Sequence, residues 1–159
     1  METAFLNTPL GIAKIEGDTH GISSISILDE APEKSSDIPE ELEDAVYQLK
    51  EYFEGSRQEF DLELNPQGTE FQRKVWEALR TIPFGQQISY LDLSKRLGDV
   101  KAIRAVAAAN GKNPIWIVIP CHRVLGSNGD LVGYAGGLHR KKWLLNHESP
   151  AKQVSLFPN

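Results

Sequence analysis

Cys121 is the single cysteine of the chain, and it stands in the run Ile119-Pro120-Cys121-His122-Arg123. A lone cysteine is commonly a small buried hydrophobe. This one follows a proline and precedes two polar residues at the end of an apolar run, where reactive residues often sit. A neighbouring histidine could assist deprotonation, since the thiolate is the nucleophile. Adjacent strand residues face opposite ways, so His122 would reach the thiol only through a turn of the chain or a bridging water. Five glycines follow within twelve residues: Gly126, Gly129, Gly133, Gly136 and Gly137. Their loop lacks the Gly-Lys-Ser/Thr ending of a phosphate loop, and its freedom suits backbone N–H groups brought close to a flat ligand. His20, His122, His139 and His147 have no metal-ligand spacing with Cys121, so no metal is expected.

The elements that must position these residues follow from pattern. Segments 3–6, 10–15 and 21–28 read as short strands separated by turns at Asn7–Pro9 and Gly17–Gly21. Leu42, Val46, Leu49 and Phe53 form a helical stripe across 40–53, which Gly55 stops. A further strand is expected over 59–64, and 65–68 reads as a linker. Thr69 precedes Gln72 by three, a capping box opening a helix with Phe71, Val75, Trp76 and Leu79 inward. Ser89 stands three before Asp92, and the helix it opens runs past Leu97 to Gly98. Another helix spans about 101–110, and the pair makes a helix-turn-helix candidate. Ile115–Pro120 reads as one buried strand delivering Cys121, and a last helix ends at Glu148.

The second helix of that pair reads KAIRAVAAAN. Its alanines suit either a buried packing helix or a backbone approaching a DNA minor groove closely; they do not suit base reading in the major groove. Charge is equally two-sided. The net charge is −5, yet residues 1–65 carry 16 acidic and 4 basic side chains, whereas 66–159 carry 6 acidic and 13 basic. The basic half either meets an anionic partner or pairs with the acidic half. With 40% hydrophobic and 25% charged residues the chain has a globular balance, which excludes collagen-like, coiled-coil and wholly disordered classes. No apolar run reaches the roughly 20 residues of a membrane span, and neither a signal segment nor an internal disulfide is available. A cytoplasmic protein with no membrane association is expected.

Six short motifs in register carry a resemblance. Ser89-Tyr90, Arg104-Ala105-Val106, Asn113-Pro114, Ile119 through Val124, Gly133 through Gly137, and Trp143 through Glu148 resemble the O6-alkylguanine-DNA alkyltransferases. The likeness is close over 69–148 and extends to the N-terminal half in layout only. It implies an α+β chain: a ribonuclease H-like α/β domain (1–65), a mostly helical DNA-binding and alkyl-transfer domain with a helix-turn-helix (69–150), and a tail (151–159). It implies a DNA repair protein that flips O6-alkylguanine, and O4-methylthymine, out of duplex DNA and moves the alkyl group irreversibly to Cys121. By the same resemblance His122 takes the thiol proton through a water, Glu148 holds the imidazole, Tyr90 protonates the leaving base and Asn113 ties the helix-turn-helix to Cys121. Arg104 fills the vacated stack, with Ala105, Ala108 and Tyr90 against the minor groove. Lys101, Lys112, Arg123 and Arg140 are candidate DNA contacts. Cys121, Val124, Tyr134, Ala135, Gly136 and Trp116 are expected to form the base pocket. A thioether does not reverse by thiol exchange, so one turnover per monomer and no cofactor are expected.

The chain departs from its relatives in three places. It has no cysteine in the N-terminal half, so the zinc of some relatives is not carried over. Ala135 replaces a common serine, which removes a side-chain hydrogen bond to the base. Trp116, at the pocket entrance, is expected to limit large alkyl groups. Three rival readings fit parts of the pattern. A lesion binder of the alkyltransferase-like kind would lack the cysteine that is present here. A Cys-His-Glu hydrolase would need an oxyanion site and repeated turnover. A helix-turn-helix regulator would need base-reading side chains that the second helix lacks.

Overall fold

A computed structural model describes residues 1–30, 37–126, 134 and 137–149. It divides into two compact units: Met1–Gly68 with Pro114–Val118, and Thr69–Asn113 with the chain from Ile119 onward. Segment 114–118, assigned above to the C-terminal domain, thus belongs with the first unit.

In the first unit β1 (Glu2–Thr8), β2 (Gly11–Asp18) and β3 (Gly21–Leu28) form an antiparallel meander. Ala13, Ile15 and Gly17 of β2 are buried at period two, as expected of a sheet with one face covered. A bulge lies between Glu16 and Gly17, where a Cβ would come within 2.7 Å of the Gly21 carbonyl, so glycine is required. A 3₁₀ turn, Glu40–Leu42, leads into α1 (Glu43–Glu54), which buries Ala45, Val46, Leu49 and Tyr52 and ends at Gly55 with φ 87°.

Two expected strands in this unit are not strands. Over 59–64 only Leu64 bridges β3, at Ile22. The Gln48 side chain takes both backbone groups of Asp61 (Nε2 to O 3.0 Å, N to Oε1 2.9 Å), which diverts them from a ladder. Over 115–120 only Ile115 pairs, parallel to Ile25. The chain then turns: Val118 N donates to Trp116 O at 2.8 Å around Ile117, whose φ is 71°. That is a γ-turn with a β-branched residue at its centre, a strained conformation that ends any strand.

The second unit opens with α2 (Glu70–Leu79), whose Thr69–Gln72 capping box is complete. Val75, Trp76 and Leu79 face inward, but Phe71, expected with them, is 40% exposed. It sits in the first helical turn. β4 (Ile88–Ser89) runs directly into α3 (Tyr90–Arg96), capped by Ser89 Oγ accepting from Asp92 N at 3.0 Å. Gly98, at φ 87°, reverses the chain, and a 3₁₀ turn at Val100–Ala102 starts α4 (Ile103–Gly111). β5 (Val124–Leu125) pairs parallel with β4, and α5 (Leu138–Glu148) completes the unit. This is the mixed α+β architecture expected: a small sheet unit and a mostly helical unit with a helix-turn-helix.

Candidate active site

Cys121 is not at a strand end. Pro120 has φ −83° and ψ 64°, and Cys121 N donates to Ile119 O at 2.8 Å, so an inverse γ-turn delivers the cysteine. Cys121–Arg123 then make one 3₁₀ turn. At about 120° per residue, a 3₁₀ turn sends three consecutive side chains in three directions. The opposed faces of a strand do not apply, and each residue finds a different partner.

The Cys121 thiol is buried and accepts from Asn113 Nδ2 at 3.2 Å; the same amide donates to Ile119 O at 2.7 Å. Asn113 thereby joins the end of the helix-turn-helix to the cysteine turn. Burial pushes the thiol pKa up, while the hydrogen bonds from Asn113 and Tyr134 and the charge of Lys141 oppose the rise. The resting group is a thiol, and reaction requires a base.

His122 is fully buried, with Nε2 2.7 Å from Glu148 Oε2. Burial pushes its pKa down in spite of Glu148, so the ring is neutral. Burial would raise the Glu148 carboxyl, yet His122 and Arg123 outweigh it and hold the group well below the usual carboxylate range. A carboxylate accepts only, so the imidazole proton is on Nε2 and Nδ1 carries the lone pair. Nδ1 is buried and has no hydrogen-bond partner among the described residues. The geometry therefore leaves a neutral base one residue from a protonated thiol.

Arg123 was expected to contact DNA; it cannot. It is 6% exposed and grips both Glu148 oxygens (Nε–Oε1 2.7 Å, Nη2–Oε2 3.0 Å), with Nη1 on Ile82 O at 2.7 Å. Its role is to fix the carboxylate that orients His122. Tyr90, first residue of α3, is brought beside the cysteine turn by the β4–β5 ladder, Ile88↔Val124 and Ser89↔Leu125. Its hydroxyl accepts from Asn110 Nδ2 at 3.0 Å. Val124 is buried, and its carbonyl accepts from Lys141 Nζ at 2.8 Å. Ala135 and Gly136 lie outside the described residues. Trp116 is a buried residue of the first unit, its ring 6.2 Å from that of Phe53.

The comparisons with known proteins bear on this geometry. The descriptions "6-O-methylguanine DNA methyltransferase, DNA binding domain" and "6-O-methylguanine DNA methyltransferase, ribonuclease-like domain" match residues 70–150 and 1–66. The chain belongs to the 6-O-methylguanine DNA methyltransferase family. It is 42% identical to the methylated-DNA–protein-cysteine methyltransferase of Mycolicibacterium paratuberculosis, covering 98% of this chain and 97% of that one. It is also 42% identical to the methyltransferase of the same name from Methanosarcina acetivorans, over 93% and 98% of the two chains. Among solved structures it resembles Mycobacterium tuberculosis OGT in complex with DNA, with a TM-score of 0.84, 38% identity and coverage of 98% and 99%.

In this family member α4 answers the alanine question by face. Ala109 and Val106 are buried, and Trp76 Nε1 donates to Ala109 O at 2.9 Å. Lys101, Arg104, Ala105 and Ala108, spaced to share the opposite face, are exposed, as is Lys112 beyond the helix. Arg104 and Tyr90 also line a cleft of about 210 Å³ with Ser89, Leu91, Ile103, Ala107 and Gly126. Arg140 is half-buried.

Two residues of the cluster were missed from sequence. Lys141 is 0% exposed, while its neighbour Lys142 is exposed. Its place three before Leu144 and seven before Glu148, a single helical face, was the available signal. Asn110 is 2% exposed, and a lone amide closing an alanine helix was its signal.

Proposed function

We propose that this methyltransferase transfers an alkyl group from O6 of guanine, and from O4 of methylated thymine, in double-stranded DNA to the sulfur of its own Cys121, once per molecule. The carrying observation is a buried thiol, held by Asn113, followed in the chain by a neutral His122 whose Nδ1, without a partner among the described residues, is set by the Glu148–Arg123 pair. A water relays the thiol proton to Nδ1. The thiolate displaces the guanine oxygen at the alkyl carbon: a C–S bond forms, the C–O bond breaks, and Tyr90 protonates the departing base. The thioether is stable, so the protein is spent.

The exposed face of α4 supports the DNA side of the reading. Small residues flanked by Lys101, Arg104 and Lys112 suit close, sequence-tolerant binding in the minor groove, and the exposure of Arg104 supports its filling the stack when the damaged base is flipped out. The backbone at Cys121 and Val124, with the 134–136 segment, would receive that base. The protein acts as a cytoplasmic monomer. Among the described residues no helix is long and apolar enough to cross a membrane.

The test is intact-protein mass spectrometry after mixing with a duplex containing one O6-methylguanine. One methyl-sized mass on the Cys121 peptide, saturating at one per chain, is expected. Binding without mass gain in reduced protein would make the chain a lesion binder instead.

A further inference from the structure

Asn110 is an expensive residue in its place. Its neighbours Ala107, Ala108 and Ala109 are strong helix formers, and alanine at 110 would bury no amide. Instead the side chain is enclosed, with Oδ1 buried and unbonded among the described residues. An unpaired buried acceptor lowers stability, so self-satisfaction does not account for the asparagine. What it provides is its N–H pair. Nδ2 lies 3.0 Å from Tyr90 Oη and 3.5 Å from Cys121 O. The Cys121 carbonyl only accepts, which assigns the NH₂ end of the amide to that side. Tyr90 Oη is therefore an acceptor toward Asn110. A tyrosine has one hydroxyl hydrogen, and this arrangement turns it away from Asn110, leaving it for a group entering beside Cys121.

We propose that Asn110 is a positioning residue for alkyl transfer: it holds the Tyr90 hydroxyl as acceptor on one side, so that its hydrogen is presented to the leaving base. This rests on the alkyl-transfer reading above. As the C–O bond breaks, the proton passes from Tyr90 to the base, and the electron pair left on Oη is stabilised by the Asn110 N–H. In keeping with this, burial raises the Tyr90 pKa and the Asn110 hydrogen bond opposes the rise. Asn110 stands twenty residues from Tyr90, at the end of the helix carrying Arg104, so the same helix that meets DNA also sets the proton donor.

The experiment compares Asn110→Ala and Asn110→Asp with the unaltered protein in single-turnover methyl uptake from a saturating methylated duplex. Alanine removes the donor and suits the helix; aspartate reverses the bond by accepting the Tyr90 hydrogen. The rate constant is expected to fall about tenfold for alanine and further for aspartate. The dissociation constant for the duplex and the thermal midpoint of the alanine variant are read alongside, the former staying within about twofold. In a Tyr90→Phe background, adding Asn110→Ala should change the rate by less than about twofold, because the group it positions is gone. An unchanged rate in Asn110→Ala, or losses that multiply in Tyr90→Phe, overturns the proposal while leaving alkyl transfer intact. No methyl uptake by the unaltered protein overturns alkyl transfer itself, and the proposal with it.

Discussion

Arg123 has its guanidinium in the protein interior, compensated by both oxygens of Glu148. Glu148→Gln strands that charge and should lower unfolding stability by about 3–5 kcal/mol, measured by urea denaturation. The same change loosens His122, so methyl uptake should fall even in protein that remains folded. The pH dependence has a definite sign. Glu148 is held below its unfolded pKa, and its contribution is present above the ordinary carboxylate range and lost as pH falls through it toward the folded value. His122 is likewise lowered, so its neutral form favours the fold above the ordinary histidine range, and that contribution fades as the unfolded chain takes up the proton. Stability should therefore decline on acidification from neutral pH, and the uptake rate should decline with protonation of His122, on the acid side of the usual histidine range. Cys121→Ser should abolish transfer yet keep duplex binding, as a gel-shift titration would show, because position 121 is buried and is not on the exposed face of α4.

At the level of elements, the helix-turn-helix depends on Gly98 and on the two faces of α4. Gly98 has φ 87° with open space where a Cβ would lie, so Gly98→Ala meets conformational strain without a clash. It should cost about 1–2 kcal/mol in unfolding stability and leave the transfer rate of the folded protein nearly unchanged. Arg104 is exposed on the alanine face and borders the cleft that Tyr90 lines. Arg104→Ala should slow repair of a methylated duplex more than reaction with a free alkylated base, since only the duplex has a stack to refill. Equal losses on the two substrates would remove Arg104 from that role. The γ-turns at Ile117 and Pro120 show how a β-branched run can look like a strand and yet serve as a corner that presents Cys121.

Across the whole molecule, the charge asymmetry makes DNA affinity a salt-dependent quantity despite the acidic total. Affinity for undamaged duplex should fall linearly in log–log form with salt, and Lys101→Ala or Lys112→Ala should each reduce that slope by about 1. A slope indifferent to both would make these lysines solvated surface charge. The acidic half contributes the sheet unit, in which Ile15, Ile22, Ile25, Leu42, Leu49 and Tyr52 are buried.

Local interactions were open to reading from sequence. The Thr69–Gln72 capping box, the Ser89 cap, the three N-terminal strands and, apart from Phe71, the helical stripes depend on residues a few positions apart, and they formed. The choice of Cys121, His122, Glu148, Tyr90 and Asn113 came from motifs in register. Partners far apart in the chain were decided by tertiary structure alone. Lys141 and Lys142 are indistinguishable until helix phase buries one, and Arg123 resembles any basic contact until Glu148, twenty-five residues on, closes around it. The runs at 59–64 and 115–120 carried strand composition, but a Gln48 side chain and a γ-turn at Ile117 took the backbone groups a ladder would have used. Hydrogen-bonding patterns between near neighbours are encoded in types and spacing; which distant group satisfies a buried charge, amide or carbonyl is settled only when the elements pack.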